Sequence, residues 1–426
     1  MNKNPEFRIQ NSEAGTYGAD EAIIERLKSL PTLRVSHDLA PEILAKVRAE
    51  VGQSALTHCS SRRLGGIFSE TLPARRRLLQ WRRVYSLAAA AALVLLLGGL
   101  WLAGTKPLDP AVRAAAWLCQ TQEPDGSWSA AKWGGDSHFE VALTGLSLMT
   151  LLEDSGPSRD CDLSIDKAVA YLIRSQQENG QFGELFASAP YNQGIATLAL
   201  GKAFRGMGAP PMSHGQDARA TKHEALRLAL DRAIAAICAR QYRDGGWGYS
   251  NEARPASNLS ITLWQIEALR LAAAQGWPQA RPVVERGLRW MAGVAADDGS
   301  FGYRTSGDTP GGASQTLTAM GAMSLLDPAH IGLVSPDRRV AIKSQMQRLA
   351  STPGPDLDYY RRYFLAAALK KMDEEPAHRG LAAIRQELVT RQVRRGGEAG
   401  SWKADDRWGS SGGRIYATAL ASLSLR

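Results

Sequence analysis

The sequence has few of the residues that hold metal ions or covalent cross-links. Its 426 residues include four cysteines and seven histidines. The cysteines, Cys59, Cys119, Cys161 and Cys238, show no C-x-x-C spacing, and no two histidines form a ligand-like pair. We therefore predict no metal site and no cofactor. The cysteines are expected to be buried thiols, with a Cys119 to Cys161 bridge as the alternative if this part of the chain lies outside the cytoplasm.

The chain also lacks a concentrated excess of one charge over most of its length. Its formal net charge is +9, but about half of that excess lies before residue 84, among arginines that flank an apolar segment. The remaining charges are too balanced to form a surface that follows a phosphate backbone. We therefore predict no nucleic-acid partner.

One long apolar run stands out at residues 84–103, VYSLAAAAALVLLLGGLWLA. About twenty uncharged residues in a helix match a bilayer core of about 30 Å, which predicts a transmembrane helix. Arginines crowd its upstream side, so the positive-inside rule places the N-terminus in the cytoplasm. The sequence thus predicts a single-pass protein of the inner or plasma membrane. Residues 1–83 would be a small helical or partly disordered cytoplasmic region, and residues 110–426 an extracytoplasmic domain, periplasmic if the chain is bacterial.

A motif of the form Q-x-x-x-G-x-W/F recurs after this segment, roughly every fifty to sixty residues, with one gap about twice as long. The fourth copy loses the glutamine, and the last copy has a few added residues. The motif residues are Gln122, Gly126, Trp128, Gln176, Gly180, Phe182, Gln241, Gly245, Trp247, Gly299, Phe301, Gln392, Gly400 and Trp402. We interpret them as structural: the glycine allows a positive φ at a chain reversal, the aromatic covers a helix end, and the glutamine bonds open backbone groups.

Each copy lies between two apolar helical patterns, so every repeat unit is predicted to be a helical hairpin. The helices after the motif are rich in small and apolar residues nearly all round, which is typical of helices buried on most sides. Six hairpins can be counted if a poor copy around Ser344 to Met372 is included. The predicted fold class is all-α, with inner helices surrounded by more amphipathic outer ones.

These repeats resemble the QW motifs of squalene and oxidosqualene cyclases and the related repeats of protein prenyltransferase β subunits. The resemblance covers about residues 110 to 426. It implies an α6/α6 toroid, a closed double ring of helical hairpins, with ligands entering a central cavity.

The catalytic motifs of those families are missing. Class II cyclases use an Asp-x-Asp-Asp motif to protonate an alkene or epoxide, and this sequence contains none. Asp160 and Asp162 flank Cys161 in a polar stretch that is typical of a solvated turn. No Asp, Cys and His set matches the zinc ligands of the prenyltransferases.

Parallel inner helices would bring their N-termini to one mouth, where free N–H groups attract polar ligands. His138 and Glu140 are weak candidates for an acid and base pair. Capping and packing are the alternative roles for many residues at these N-termini. The remaining candidates for binding at the mouth are Tyr191, Asn192, Asn258, Thr262, Trp264, Tyr359, Tyr360, Tyr363, Arg414 and Tyr416.

The intact framework without known catalytic groups favours a membrane-tethered binding or scaffold module for a polypeptide, a lipid or another ligand. An isoprenoid-processing enzyme, such as a terpenoid cyclase with a non-standard acid, is the alternative. A signalling relay through residues 1–70 is a second alternative. A broad apolar cavity would favour the isoprenoid enzyme, and a narrow, filled centre would favour the scaffold.

Overall fold

Outer and inner helices alternate along the chain in the computed structural model, which describes residues 108–154, 159–183, 187–208, 218–249, 255–310, 314–351 and 357–426. Twelve α-helices lie within these ranges. The outer helices are α1 (Pro110–Thr121), α3 (Arg159–Ser175), α5 (Ala218–Ala239), α7 (Ala280–Gly293), α9 (Pro336–Ser351) and α11 (Glu375–Arg391). The inner helices are α2 (Glu140–Asp154), α4 (Ala189–Met207), α6 (Leu259–Ala274), α8 (Ser314–Leu325), α10 (Tyr359–Leu369) and α12 (Gly409–Ser424).

The inner helices close into a ring. Each inner helix packs against the next one along the chain, and the last, α12, packs against the first, α2. An open solenoid would leave its terminal repeats without this contact. The described residues therefore form an all-helical α/α toroid, as the repeats predicted.

Each motif glutamine joins its own corner to the following outer helix. Gln122 Nε2 donates to the carbonyl oxygen of Gly126 at 3.0 Å and to that of Ser164 in α3 at 2.9 Å. The same pair of bonds recurs at Gln176 and Gln241. A single side chain thus satisfies two carbonyl groups and connects neighbouring repeats.

The last corner connects back to the first helix. Gln392 Nε2 donates to the carbonyl oxygen of Gly400 at 2.8 Å and to that of Pro110 in α1 at 2.7 Å. Gly400 has a φ of +99°, and a Cβ placed there would lie 2.4 Å from the carbonyl oxygen of Arg113. Only glycine permits this backbone conformation together with this approach. The corner is therefore the seam where the two ends of the domain meet.

The motif tryptophans seal the ends of the outer helices. Trp128 is fully buried, and its Nε1 donates to the carbonyl oxygen of Leu118 in the last turn of α1 at 2.9 Å. Trp402 makes the corresponding bond to Leu388 at 2.7 Å. Carbonyl groups at a helix C-terminus have no partner within the helix, so these indoles supply one.

A disulfide bond joins Cys119 in α1 to Cys161 in α3, with 5.7 Å between the Cα atoms. The prediction of buried thiols is wrong for this pair, and the bridge given as its alternative is present. Closing a loop of 42 residues contributes on the order of 4 kcal/mol to the free energy of unfolding in the chain-entropy treatment. Cys238 carries a free thiol.

The predicted localisation as a single-pass membrane protein is contradicted. Within the part of the chain that the structure describes, no helix has the length and the apolar character needed to cross a bilayer. The segment 84–103 and the region 1–83, on which that prediction was based, lie outside the described residues.

Candidate functional site

A cavity of about 510 Å³ lies in the centre of the ring, near the N-terminal ends of the inner helices. All six inner helices contribute to its wall, through Leu143, Ile195, Trp264, Met320, Tyr360 and Tyr416. Most of the wall is aliphatic or aromatic, and the volume is within the range of small-molecule sites. The centre of the toroid is therefore broad and apolar, rather than filled.

Aromatic rings form one side of this cavity. Trp264 stacks on Tyr363 with 6.0 Å between the ring centroids and an interplanar angle of 7°, and it meets Phe364 edge to face at 5.6 Å. Phe139 and Trp408 line other parts of the wall. Because the face of an aromatic ring carries partial negative charge, such a wall can attract a cation that water cannot reach.

A chain of hydroxyl groups crosses the cavity wall. Tyr303 donates to the hydroxyl of Tyr249 at 3.5 Å, Tyr249 lies 3.3 Å from the hydroxyl of Tyr191, and Tyr191 lies 2.5 Å from Ser260 Oγ. In a separate contact, Trp264 Nε1 donates to the hydroxyl oxygen of Tyr360 at 2.7 Å.

The hydroxyls of Tyr191 and Tyr360 have raised pKa values. Burial raises the pKa of Tyr191 well above its ordinary value, and the neighbouring hydroxyls of Tyr249 and Tyr360 raise it further. Burial also raises the pKa of Tyr360, while hydrogen bonds with Trp264 and Ser260 lower it in part. Tyr191 and Tyr360 are therefore neutral donors and acceptors near neutral pH.

A partly buried carboxyl group stands behind the cavity wall. Asp406 Oδ2 accepts hydrogen bonds from the backbone N–H of Tyr359 and from the hydroxyl of Tyr416, both at 3.0 Å. Burial raises the pKa of Asp406 above the ordinary aspartate value, and the carboxylate of Asp358 is a smaller cause in the same direction. Tyr416 itself lines the cavity. A ligand that contacts the Tyr416 hydroxyl is therefore connected to Asp406 through that hydroxyl.

The second carboxylate, Asp358, caps an inner helix. Its Oδ1 accepts from the backbone N–H of Arg361 at 2.8 Å at the start of α10, and its Oδ2 accepts from the hydroxyl of Thr316 at 3.4 Å. Thr316 lines the cavity. The Asp358 carboxylate is close enough to disfavour ionisation of Asp406, so Asp406 is the candidate proton donor.

The cavity wall also carries positive charge. Arg407 lines the cavity, and its guanidinium group lies 4.8 Å from the ring centroid of Trp408.

No group of three or more histidine, cysteine or acidic side chains within the described ranges is arranged to hold a metal ion.

Four of the binding candidates predicted from sequence line the cavity: Tyr191, Trp264, Tyr360 and Tyr416. The others make structural contacts. Of these, Asn192 bonds α4 to the start of α2, and Tyr363 packs on Trp264. Asn258 caps α6, Thr262 bonds the backbone of Trp247, Tyr359 donates to the Lys403 carbonyl, and Arg414 pairs with Glu398. A binding role for any of the ten remains a prediction.

His138 and Glu140 do not line the cavity, although Phe139 between them does. His138 Nδ1 lies 2.7 Å from Asp136 Oδ1, and both side chains are about half exposed. Glu140 accepts from the hydroxyl of Tyr171 in α3 at 3.2 Å. Neither residue is among those that line the cavity. Their proposed role as an acid and base pair remains a prediction without support from this geometry.

Asp358, Asp406, Tyr249 and Tyr303 were not singled out from the sequence. Asp358 belongs to the one repeat that lacks the motif, and departures from a repeat pattern often mark function. Asp406 follows the motif tryptophan Trp402 by a few residues. A search for acids in the short segments that precede the inner helices would have found both.

Comparisons with known proteins agree with this geometry in part. No protein-family model matches the chain. A drimenyl diphosphate synthase from Streptomyces showdoensis is 32% identical over 201 residues, which cover 46% of this chain and 32% of that enzyme. The chain therefore matches about a third of the length of this curated relative. This homology to a terpene cyclase and the closed helical ring together define a terpenoid-cyclase-like fold.

Two solved structures of variants of the type II terpene cyclase MstE from Scytonema are also similar. The complex with merosterolic acid A is 15% identical with a TM-score of 0.44, and the complex with geranylgeranyl dihydroxybenzoate is 16% identical with a TM-score of 0.45. Each covers 74% of this chain and 95% of the solved one. Both TM-scores are below 0.5, a level that does not establish a common fold.

Proposed function

We propose that the chain is a terpenoid cyclase, which starts ring formation by protonating an isoprenoid inside the central cavity. One observation carries the proposal: a carboxyl group with a raised pKa is hydrogen-bonded to a tyrosine in the wall of a large apolar cavity. The homology to a terpene cyclase supports it. A scaffold, which the sequence favoured, requires neither an empty apolar centre nor a perturbed acid.

The proton would travel from Asp406 through Tyr416. When Asp406 is ionised, the Tyr416 hydroxyl donates to it. Once Asp406 takes up a proton, it can donate to the Tyr416 oxygen instead, and the hydrogen of Tyr416 turns toward the cavity. An alkene of the substrate takes that hydrogen with its π electrons, while the proton of Asp406 replaces it on Tyr416. This step leaves a carbocation, a neutral tyrosine and the Asp406 carboxylate.

The cavity wall would then guide the carbocation. Aromatic faces attract the positive charge, and aliphatic side chains keep water away from it. A second alkene of the same substrate attacks the cation and forms the ring bond. Loss of a proton from carbon to water ends the reaction, so the product is an isomer of the substrate.

Three isoprenoids test this function, namely farnesyl diphosphate, squalene and farnesol. The relative is named for a diphosphate, and the guanidinium of Arg407 could pair with such a group at the cavity wall. Purified full-length protein should convert at least one of them into a cyclic isomer. Gas chromatography and mass spectrometry detect the product against a heat-denatured control, after phosphatase treatment where the product is a diphosphate. Tight binding of all three without any product would favour the binding module instead.

A further inference from the structure

The Tyr360 hydroxyl in the cavity wall carries a hydrogen that no described group accepts. Its oxygen accepts from Trp264 Nε1 at 2.7 Å, and within the described residues no acceptor is hydrogen-bonded to its own O–H group. An unused donor in an apolar wall is costly unless a ligand or water accepts from it.

The neighbouring hydroxyls do not take up this hydrogen. Three contacts join the hydroxyls of Tyr303, Tyr249, Tyr191 and Ser260 to one another, and none of them includes Tyr360. The Tyr360 hydroxyl, which already accepts from Trp264 Nε1, therefore keeps its own hydrogen for donation. Tyr360 lines the cavity, so its hydrogen is available to a ligand there.

We propose that Tyr360 donates a hydrogen bond to a neutral oxygen atom of the isoprenoid, such as an alcohol, carbonyl or ether oxygen. This inference rests on the proposed function, because it assigns a substrate class to the same cavity. A neutral oxygen fits better than a phosphate group at this position, since a single phenol cannot compensate for the desolvation of several charges. Tyr360 is thereby a specificity-determining residue, and Asp406 is the acid.

A matched pair of ligands tests this proposal without turnover. Farnesol and the hydrocarbon in which a methyl group replaces its hydroxyl group differ in one oxygen and hardly in size. Their affinities can be measured from the change in tryptophan fluorescence on binding, because Trp264 and Trp408 line the cavity. Wild-type protein should bind farnesol about fivefold to tenfold more tightly, the usual effect of one neutral hydrogen bond.

The variant Tyr360→Phe should remove this preference and leave the affinity for the hydrocarbon unchanged. Tyr171→Phe is the matched control, because it also removes a tyrosine hydroxyl, but from an outer helix. This variant should keep the preference for farnesol. Retention of the preference in Tyr360→Phe would overturn the proposal. Equal affinities of the wild-type protein for farnesol and the hydrocarbon would also overturn it, and this measurement does not depend on the folding of any variant. Absence of product from any isoprenoid would count against the proposed function, whereas these affinities bear on Tyr360 alone.

Discussion

Replacing Asp406 with asparagine should reduce product formation at least about 100-fold, the lower end of the usual contribution of a general acid. Asparagine has nearly the same shape, and its oxygen can still accept from the backbone N–H of Tyr359 and the hydroxyl of Tyr416. The variant loses the transferable proton, and its amide nitrogen also cannot accept from the backbone N–H of Trp408, which bonds Asp406 Oδ1 at 3.2 Å. The rate of product formation at saturating substrate measures the effect, and circular dichroism checks the fold.

Asp405→Asn is the matched control, because it removes the same charge from the neighbouring, exposed residue. Its rate of product formation should stay close to that of the wild type.

The pH profile of the wild-type protein supplies a second readout. Since the pKa of Asp406 is raised above 3.8 and the protonated form is the active one, activity should decline as pH rises through that raised pKa. Full activity in Asp406→Asn would show that another group supplies the proton.

Replacing Gly400 with alanine should destabilise the domain by about 3 kcal/mol or more, through a combination of backbone strain and steric clash. Gly400 has a φ of +99°, and a Cβ would lie 2.4 Å from the carbonyl oxygen of Arg113 in α1. The last corner would have to move away from the first helix. That movement would weaken the bonds from Gln392 that close the ring. Equilibrium unfolding in urea measures the change in the free energy of unfolding.

Gly396→Ala separates the two causes. Gly396 has a similar φ of +80°, but nothing lies within 4 Å of an added Cβ. Its cost should be about 1 to 2 kcal/mol, the strain of the left-handed conformation alone. If both variants lose the same stability, the close contact between the last corner and α1 contributes nothing, and the seam is not what holds the ring closed.

The ring could be predicted from the sequence because its determinants are local and repeated. At each corner a glycine adopts a positive φ, a glutamine donates to two carbonyl groups and an aromatic side chain covers a helix end. These requirements recur in nearly every repeat. A pattern present in several copies is visible without coordinates. The bonds from Gln392 to Gly400 and to Pro110 show the same local chemistry closing the ring.

The carboxyl groups and the hydroxyl chain could not be predicted in this way, because their properties arise from tertiary contacts. Asp405 and Asp406 are adjacent in the sequence, yet only Asp406 bonds both to the N-terminus of α10 and to a tyrosine of α12. Tyr249 and Tyr303 lie in connecting segments, and their hydroxyls meet only because the ring brings those segments together. His138 and Glu140 shared a predicted helix start, but the structure gives them separate partners.

The most direct test of proton-initiated cyclisation is to run the reaction in deuterium oxide with whichever isoprenoid is converted. Asp406 and Tyr416 exchange their hydrogens with solvent, so a reaction that begins with their proton places deuterium on carbon. The account predicts a cyclic product with one added deuterium at the carbon that is protonated first. A cyclic product free of deuterium would contradict it, because ring formation would then begin without a proton from the enzyme.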